Sequence, residues 1–461
     1  MTESNGPTIR AVSWCELFPW LGIVRAFRLA ISVRAMILGA VGILLTVLVW
    51  GVIGMVFGTD PTNAARSDVD AQVTGWLHRY TGNPWSELVK VVPDRPRVFD
   101  LATPRSDLPE TAGVPGKPPV SGPGSVQSGL PLQRVPTKPP AAGSNAVDLS
   151  ARQGMPVGPV RHCWPLLSAP ATTGLSQTGF SLRSIVCVIL CGLWGAAVWA
   201  FFGGAICRAA AVKLAADEQV GVAAALRYAS RKWPAYFAAP LLPVGGVVLA
   251  TIPVVVLGWF MQSNPGLVLG GVLWPLVLVA GFLMAVLLLG LLFGWPLMWA
   301  AISVEGTDSF DALSRTYAYV FQRPLRYLFY VVVAGVIGLL GWILVREFAA
   351  GVVWLGYWAA GWGCGRDQID AILSGSDQLS SVGQFGARMI RFWAGCVKML
   401  AVGYMFSYFW TAAAAVYFQL RRDVDATETD EVFLDADAAE EEPPPPPVAD
   451  KGPAVGNGAP A

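Results

Sequence analysis

The chain has 461 residues, of which 54% are hydrophobic and only 14% are charged. Soluble domains carry about a quarter charged residues, and the shortfall here falls in apolar runs long enough to cross a bilayer. Composition therefore excludes an ordinary soluble protein. The net charge of +1 excludes a basic field for nucleic acid, and only two histidines are available for metal or acid–base chemistry.

Residues 1–35 are predicted to form a cytoplasmic, amphipathic lead-in, and residues 36–57 are predicted to form the first transmembrane helix. Four arginines but only two glutamates precede the apolar run, so the positive-inside rule keeps the N-terminus in the cytoplasm. Apolar residues at helical spacing between Trp14 and Phe27 favour a helix lying in the membrane interface, and a plain cytoplasmic segment is the alternative.

Residues 58–182 predict an extracytoplasmic loop that is rich in proline and glycine and largely disordered. Sixteen of the 35 prolines lie between Val91 and Pro170, and no segment is apolar for long enough to cross. Such a composition does not bury a core, so we expect no compact catalytic domain there.

Residues 183–422 predict the remainder of an all-α, polytopic bundle of about six spans. The five further spans are expected at 184–207, 236–261, 277–304, 327–344 and 393–420. Arginine- and lysine-rich connectors then fall on one side, together with Arg421 and Arg422. This predicts that both termini are cytoplasmic.

Two apolar segments of the bundle allow more than one reading. The run from 267 to 304 is too long for one straight span, and Pro275 divides it, so 267–278 is expected to be interfacial or re-entrant. Residues 348–365 are short and glycine-rich and are read as an outer-leaflet helix or re-entrant loop, with an extra pair of crossings as the alternative.

Residues 423–461 predict an acidic, proline-rich, disordered cytoplasmic tail. They contain eleven Asp or Glu against one Lys, and a run of five prolines begins at Pro443. The tail is most simply a solvated spacer, and a protein partner that reads its polyproline is the alternative.

An internal repeat is predicted around two glutamates, Glu218 and Glu305. Each follows a span that ends in small residues and precedes a helix with an Ala-Leu pair, a basic residue and a proline. We read this as a duplicated helical hairpin with amphipathic interfacial helices. Either glutamate could couple protons or cations, but a structural capping role is favoured because both adjoin water.

The second connector predicts an amphipathic helix on the inner membrane surface. Thr307 and Asp308 suit an N-cap, and Asp311 can pair with Arg315 one turn later. The expected apolar face consists of Phe310, Leu313, Tyr317 and Val320. The expected contacts with lipid phosphates are Arg315, Arg323 and Arg326.

The segment from Val304 to Tyr317, followed by Arg323-Pro324, resembles a stretch found in uncharacterised multi-pass inner-membrane proteins of bacteria. More loosely it is similar to the membrane portion of some glycerophosphodiester phosphodiesterases. The resemblance covers about thirty residues and implies a bacterial inner-membrane location. The catalytic barrel of the phosphodiesterases has no counterpart here, so that activity is not implied.

Three further features are candidates for chemistry. Lys398 lies within the sixth span and is a functional candidate, although its stem is long enough to snorkel to the outer interface. Cys163 and Cys364 are both expected outside and could form a disulfide. Gly290 and Gly294 form a small-residue face for helix packing.

The expected function is that of a non-enzymatic bundle that organises or scaffolds the membrane. A transporter or permease component for lipids or small solutes is the alternative, which a polar cavity beside Lys398 would favour. The sequence predicts no catalytic group, metal site or cofactor. Membrane lipids are the expected partners.

Overall fold

The computed structural model describes residues 21–57, 77, 83–97, 158–176, 182–375, 379–427 and 432–433, without the side chains of 171–184. Within these ranges the chain is helical and contains no strand. The first six helices are α1 (Leu21–Ala30), α2 (Val33–Val56), α3 (Pro84–Val89), α4 (Pro159–Ser176), α5 (Leu182–Ala216) and α6 (Val222–Arg231). The remaining helices are α7 (Trp233–Phe260), α8 (Asn264–Glu305), α9 (Ser309–Gln322), α10 (Pro324–Cys364), α11 (Arg366–Ser374) and α12 (Ser381–Asp425).

Six of these helices, α2, α5, α7, α8, α10 and α12, are long and apolar enough to cross a membrane. A polypeptide in hydrocarbon must satisfy its own backbone groups, and helices do so within one segment. The chain is therefore an integral membrane protein with an all-α bundle, which confirms the fold predicted from the sequence.

Three helices extend well past the predicted spans. Helix α8 runs through Pro275 without a break, and α10 continues from span five through residues 348–364, so neither segment is a separate re-entrant or outer-leaflet piece. Helix α12 begins at Ser381 rather than near residue 393. The 41 residues of α10 and the 45 of α12 make helices about 60 and 67 Å long. Both exceed a hydrocarbon core about 30 Å thick.

Helix α12 is the centre of the bundle. Its most apolar stretch is 94% buried, whereas the corresponding stretches of α7 and α8 are only 6% buried and face outward. Helices α1, α2, α4, α5, α8 and α10 all pack against α12. The α7–α8 hairpin is therefore the peripheral, lipid-facing part of the bundle.

Stacked aromatic side chains fill the space between α5, α8 and α12. The ring of Trp299 stacks on Trp410 with centroids 4.5 Å apart, and Trp199 stacks on Phe406 at 5.0 Å. Trp295 packs edge-on against Trp410 at 5.5 Å. Aromatic pairs in these geometries stabilise a core beyond the area they bury.

Parts of the predicted disordered loop are packed on the bundle, and that prediction is wrong for residues 83–97 and 158–176. Trp85 on α3 stacks on Phe392 at 5.7 Å, and Leu88 and Val92 are buried. Helix α4 inserts among α5, α10 and α12, where Trp164 contacts Trp295 and Phe409. Residues 98–157, which hold eleven of the sixteen prolines between Val91 and Pro170, lie outside the described residues.

The N-terminal lead-in and the start of the tail also belong to the bundle. Helix α1 packs on α12 through Ile23, Ala26 and Ala30, and Phe27 of the predicted stripe contacts Tyr404, whereas Val24 is exposed. Helix α12 continues to Asp425, three residues into the predicted tail. Residues 1–20 and most of 428–461 lie outside the described ranges. Cys163 is buried and Cys364 is exposed, and both thiols are free, so these two cysteines do not form a disulfide.

Close backbone contact between α2 and α12 generates the first prediction. A Cβ on Gly403 would lie 2.1 Å from the carbonyl oxygen of Met36, a distance that requires the helices to separate. We expect Gly403→Ala to destabilise the protein by about 1–3 kcal/mol, the usual cost of overpacking. Thermal unfolding in detergent measures it.

Gly335→Ala on α10 is the matched control, because a Cβ there meets no atom within 4 Å. It should leave the melting temperature unchanged or raise it slightly, since Ala favours a helix more than Gly does. Equal melting temperatures for the two variants would show that α2 and α12 do not pack this closely.

Candidate functional site: buried charged residues of the bundle

The turn between α8 and α9 places Glu305 at the edge of the bundle. Gly306 ends α8 with φ +66°, in the left-handed region that glycine adopts without strain. Asp308 then caps α9, because its carboxylate accepts a hydrogen bond from the N–H of Asp311 at 2.9 Å. The predicted N-cap at Asp308 is confirmed. The local sequence thus turns the Glu305 side chain toward α9 and α12.

Glu305 is the centre of a buried ionic cluster, which we define as Glu305, Arg315, Tyr417 and Arg421. The Glu305 side chain is 8% exposed, and its Oε2 lies 2.6 Å from Arg315 Nη1. Its Oε1 accepts a hydrogen bond from the Tyr417 hydroxyl and lies 3.5 Å from Arg421 Nε. A buried carboxylate with two guanidinium partners is a structural ion pair rather than a water-facing group.

A second set of contacts ties the end of α12 to α9 and α10. The Tyr319 hydroxyl donates to Asp425, and the Tyr330 hydroxyl donates to Asp423 at 2.8 Å. Arg326 Nη1 lies 3.1 Å from the same Asp423 carboxylate. Burial, reinforced by the Asp425 carboxylate, raises the pKa of Tyr319, so that its hydroxyl stays protonated as a donor. The chain beyond α12 adds a backbone bond from Phe433 to Val304.

The arginines predicted to contact lipid phosphates are mostly engaged within the protein. Arg315 pairs with Glu305 and, as predicted, with Asp311 at 3.0 Å, and Arg326 pairs with Asp423. Only Arg323 keeps the predicted geometry, since it is exposed and forms no ion pair with a described residue. Carboxylates of the chain therefore compete with lipid phosphates for Arg315 and Arg326, and the three phosphate contacts stay a prediction.

Helix α9 packs on α8, and most of its predicted apolar face, Leu313, Tyr317 and Val320, is turned toward the protein. Phe310 is 69% exposed, whereas Ala312, Thr316, Tyr319 and Val320 are buried. A Cβ on Gly290 would lie 2.2 Å from Tyr317, and one on Gly294 would lie 2.8 Å from Thr316. The two glycines thus form the predicted small-residue packing face, and the helix they accept is α9.

Basic and hydroxyl groups from α5 and α6 cap the carbonyl end of α8. Arg208 is buried, donates to the Ser303 carbonyl at 2.9 Å and lies over the Tyr228 ring at 4.2 Å. Tyr228 donates to the Ile302 carbonyl, and Lys232 donates to the Gly306 carbonyl. These contacts neutralise the negative end of the helix dipole. Sequence reasoning missed Arg208, whose only signal was a basic residue among small ones.

Glu218 does not share the environment of Glu305. It is exposed in the segment between α5 and α6, and no ion pair joins it to a described residue. Its neighbour Asp217 instead pairs with Lys213 at 2.9 Å, and that cation lowers the pKa of Asp217. The order of a long, a short and a long helix recurs around both glutamates, but the duplication itself stays a prediction.

Lys398 is buried and paired across the chain. Its side chain is 9% exposed and its Nζ contacts Oδ1 of Asp94, whose side chain is 65% exposed. Nearby segments show the same pattern: Glu347 pairs with the adjacent Arg346 at 2.8 Å and accepts the backbone N–H of Arg97 at 2.7 Å. Lys398 is thus neutralised by the first loop, a partner that sequence reasoning missed.

The chemistry available to these groups is limited. Within the described ranges, no three His, Cys, Asp or Glu side chains lie close enough to hold a metal ion. Glu305 and Lys398, the two buried candidates, are each held by counter-charges rather than facing a polar cavity. No protein-family model, curated protein or solved structure matches the chain.

The Glu305 cluster generates the second prediction. Glu305→Gln keeps the shape of the side chain and a partner for Tyr417 but leaves Arg315 and Arg421 without their shared carboxylate. We expect the free energy of unfolding to fall by about 3 kcal/mol. This is the low end for a broken buried ion pair, because the Arg315 side chain is 40% exposed. Thermal unfolding in detergent measures the loss.

Glu218→Gln is the matched control, since it makes the same chemical change at an exposed position. It should leave the melting temperature unchanged, because isolated surface charges contribute little. If both variants lower the melting temperature equally, Glu305 has no special structural role.

Proposed function

We propose that the protein is a non-enzymatic component of a bacterial inner membrane that organises the bilayer around a rigid helical bundle. The observation that carries this proposal is the filled centre. Helix α12 is buried among stacked aromatic rings, where a solute path through the bundle would have to run. A core of this kind favours a fixed structure over alternating access.

The state of the charged residues supports the same proposal. Transport sites place ionisable groups and broken helices around a polar cavity near mid-membrane. Here Lys398 is paired with Asp94 and Glu305 with Arg315 and Arg421, so that neither group is available to a passing ion. The alternative, a permease component for lipids or small solutes, is favoured by one observation, an apolar cavity of about 470 Å³ at the side of the bundle.

Both termini are proposed to lie in the cytoplasm, with membrane lipids as partners. The exposed Arg323 then meets the negatively charged inner leaflet, where a basic residue contributes about 1 kcal/mol of attraction. The resemblance of residues 304–317 to multi-pass inner-membrane proteins of bacteria supports this location. A protein partner for the acidic, proline-rich tail remains part of the proposal.

Thiol labelling tests the proposed topology, our third prediction. Cys364 is exposed at the C-terminal end of α10. Thr427 follows the C-terminal end of α12, the last predicted crossing, so the two positions are expected on opposite sides of the membrane. In a Cys15→Ser, Cys396→Ser background, we expect a membrane-impermeant maleimide to label Cys364 in intact cells. After Cys364→Ser, a Thr427→Cys variant should be labelled only when the inner membrane is permeabilised. Labelling of both positions from one side would contradict six crossings, and the reverse order would invert the proposed orientation.

A flux measurement tests the scaffold against the transporter, our fourth prediction. We expect proteoliposomes that enclose a pH-sensitive dye to show no more proton or solute leakage than protein-free vesicles. Glu305→Gln and Lys398→Gln should leave that leakage unchanged while lowering stability, because both groups act through ion pairs. A pH-dependent flux that either substitution abolishes in a folded protein would replace the scaffold with a transporter.

A further inference from the structure

A cavity of about 470 Å³ lies between the central bundle and the α7–α8 hairpin. Its walls are residues 188–199 of α5, 240–248 of α7 and 288–299 of α8, closed by Trp50 of α2 and residues 167–170 of α4. This volume falls within the range of sites that hold small ligands, about 300–1,000 Å³. A second cavity, beside Trp164, measures only about 30 Å³.

The lining of the cavity is almost entirely apolar and disfavours charged ligands. It contains no charged residue, and the Ser168 hydroxyl donates to the Trp164 carbonyl at 2.7 Å. Its other polar side-chain atoms are tryptophan Nε1 donors, of which those of Trp199 and Trp295 are buried without a hydrogen-bond partner among the described residues. A buried water needs two to four polar partners, and these indole donors supply no acceptor. An empty cavity costs stability in proportion to its volume, so an apolar occupant is favoured over a void.

The mouth of the cavity opens onto the lipid-facing side of the bundle. Ile189, Val244 and Val248 line the cavity and are also exposed on the surface of α5 and α7. The most apolar stretch of α7 is only 6% buried, and that of α5 is 28% buried. A hydrocarbon chain can therefore enter sideways from the bilayer without crossing a polar layer.

The walls are held in place by tryptophan hydrogen bonds. Trp50 Nε1 donates to the Cys191 carbonyl at 3.0 Å and joins α2 to α5. Trp233 Nε1 donates to Ala197 at 3.0 Å, and Trp299 Nε1 donates to Tyr236 at 2.7 Å, so that α7 is tied to both α5 and α8. The cavity is thus preformed, which lowers the entropic cost of binding a flexible chain.

We propose that this cavity is a binding site for one acyl chain of a membrane phospholipid, whose head group stays at the membrane surface. A partner helix does not fit, because a helix is about 10–12 Å across and 470 Å³ holds roughly one turn of it. The bilayer supplies acyl chains at high concentration directly at the mouth. The site exists whether or not the protein moves solutes, so it goes beyond the proposed scaffold.

Photo-crosslinking tests the proposal, our fifth prediction. The full-length protein is reconstituted in vesicles of phosphatidylethanolamine and phosphatidylglycerol, with a trace of phosphatidylethanolamine that carries a diazirine in one acyl chain. After irradiation, we expect several-fold more adducts per residue on 188–199 and 240–248 than on the lipid-facing residues 267–283 of α8. Equal labelling of these segments would mean ordinary contact with bulk lipid and would overturn the proposal.

Two valines on α7 provide the matched variants. Val244→Trp fills the cavity and should lower adducts on 188–199 several-fold, whereas Val256→Trp adds the same group at an exposed position outside the lining. Ala196→Leu fills less of the cavity and provides a second test if Val244→Trp does not fold. The melting temperature of each variant shows whether it is folded. The proposal fails if neither filler changes the labelling.

Native mass spectrometry of the detergent-purified protein distinguishes the source of the chain. We expect a bound mass of a phospholipid in the wild type and in Val256→Trp, and its loss in Val244→Trp. If the mass displaced by Val244→Trp belongs to an isoprenoid or another apolar molecule, the site is real but the acyl-chain proposal is overturned.

Discussion

The burial of residues 401–420 of helix α12 is the constraint on which the other packing contacts depend. A helix surrounded on every face must offer each neighbour either a small residue or a shape that fits. Gly403 lets α2 approach to backbone contact, and Phe406 and Trp410 meet the rings of α5 and α8. In lipid no hydrophobic effect drives helices together, so close packing and hydrogen bonds must supply the association energy. The dense centre of this bundle supplies both.

Charge is placed according to the same physical limits. Unpaired charges are costly away from water, and the buried groups Glu305, Lys398 and Arg208 each have a partner on another helix or loop. Glu305 joins α8 to α9 and α12, Lys398 joins α12 to the first loop, and Arg208 joins α5 to the end of α8. Ionisable residues that resemble transport groups in the sequence therefore form ion pairs and hydrogen bonds that hold segments together.

The features that were predicted correctly from the sequence depend on residues close together in the chain. Apolar runs gave the six spans, and the spacing of Asp308, Asp311 and Arg315 gave the cap and the i,i+4 pair of α9. What it missed depends on distant parts of the chain. Asp94 and Lys398 are 304 residues apart, and no local pattern indicates that they meet. The ion pair between Arg326 and Asp423 was missed for the same reason, because hydropathy shows that a basic residue lies at an interface but not that a carboxylate of α12 lies beside it.

The aromatic core and the side cavity share residues, so the two are energetically coupled. Trp199 stacks on Phe406 in the core and also lines the cavity, and Trp299 does the same with Trp410. An occupant therefore rests directly on the rings that hold α5 and α8 against α12. A ligand that binds only the folded state stabilises it in proportion to the logarithm of its concentration over its dissociation constant. The most apolar stretches of α7 and α8 are only 6% buried, so we expect the stability of this part of the bundle to depend most on the lipid beside it.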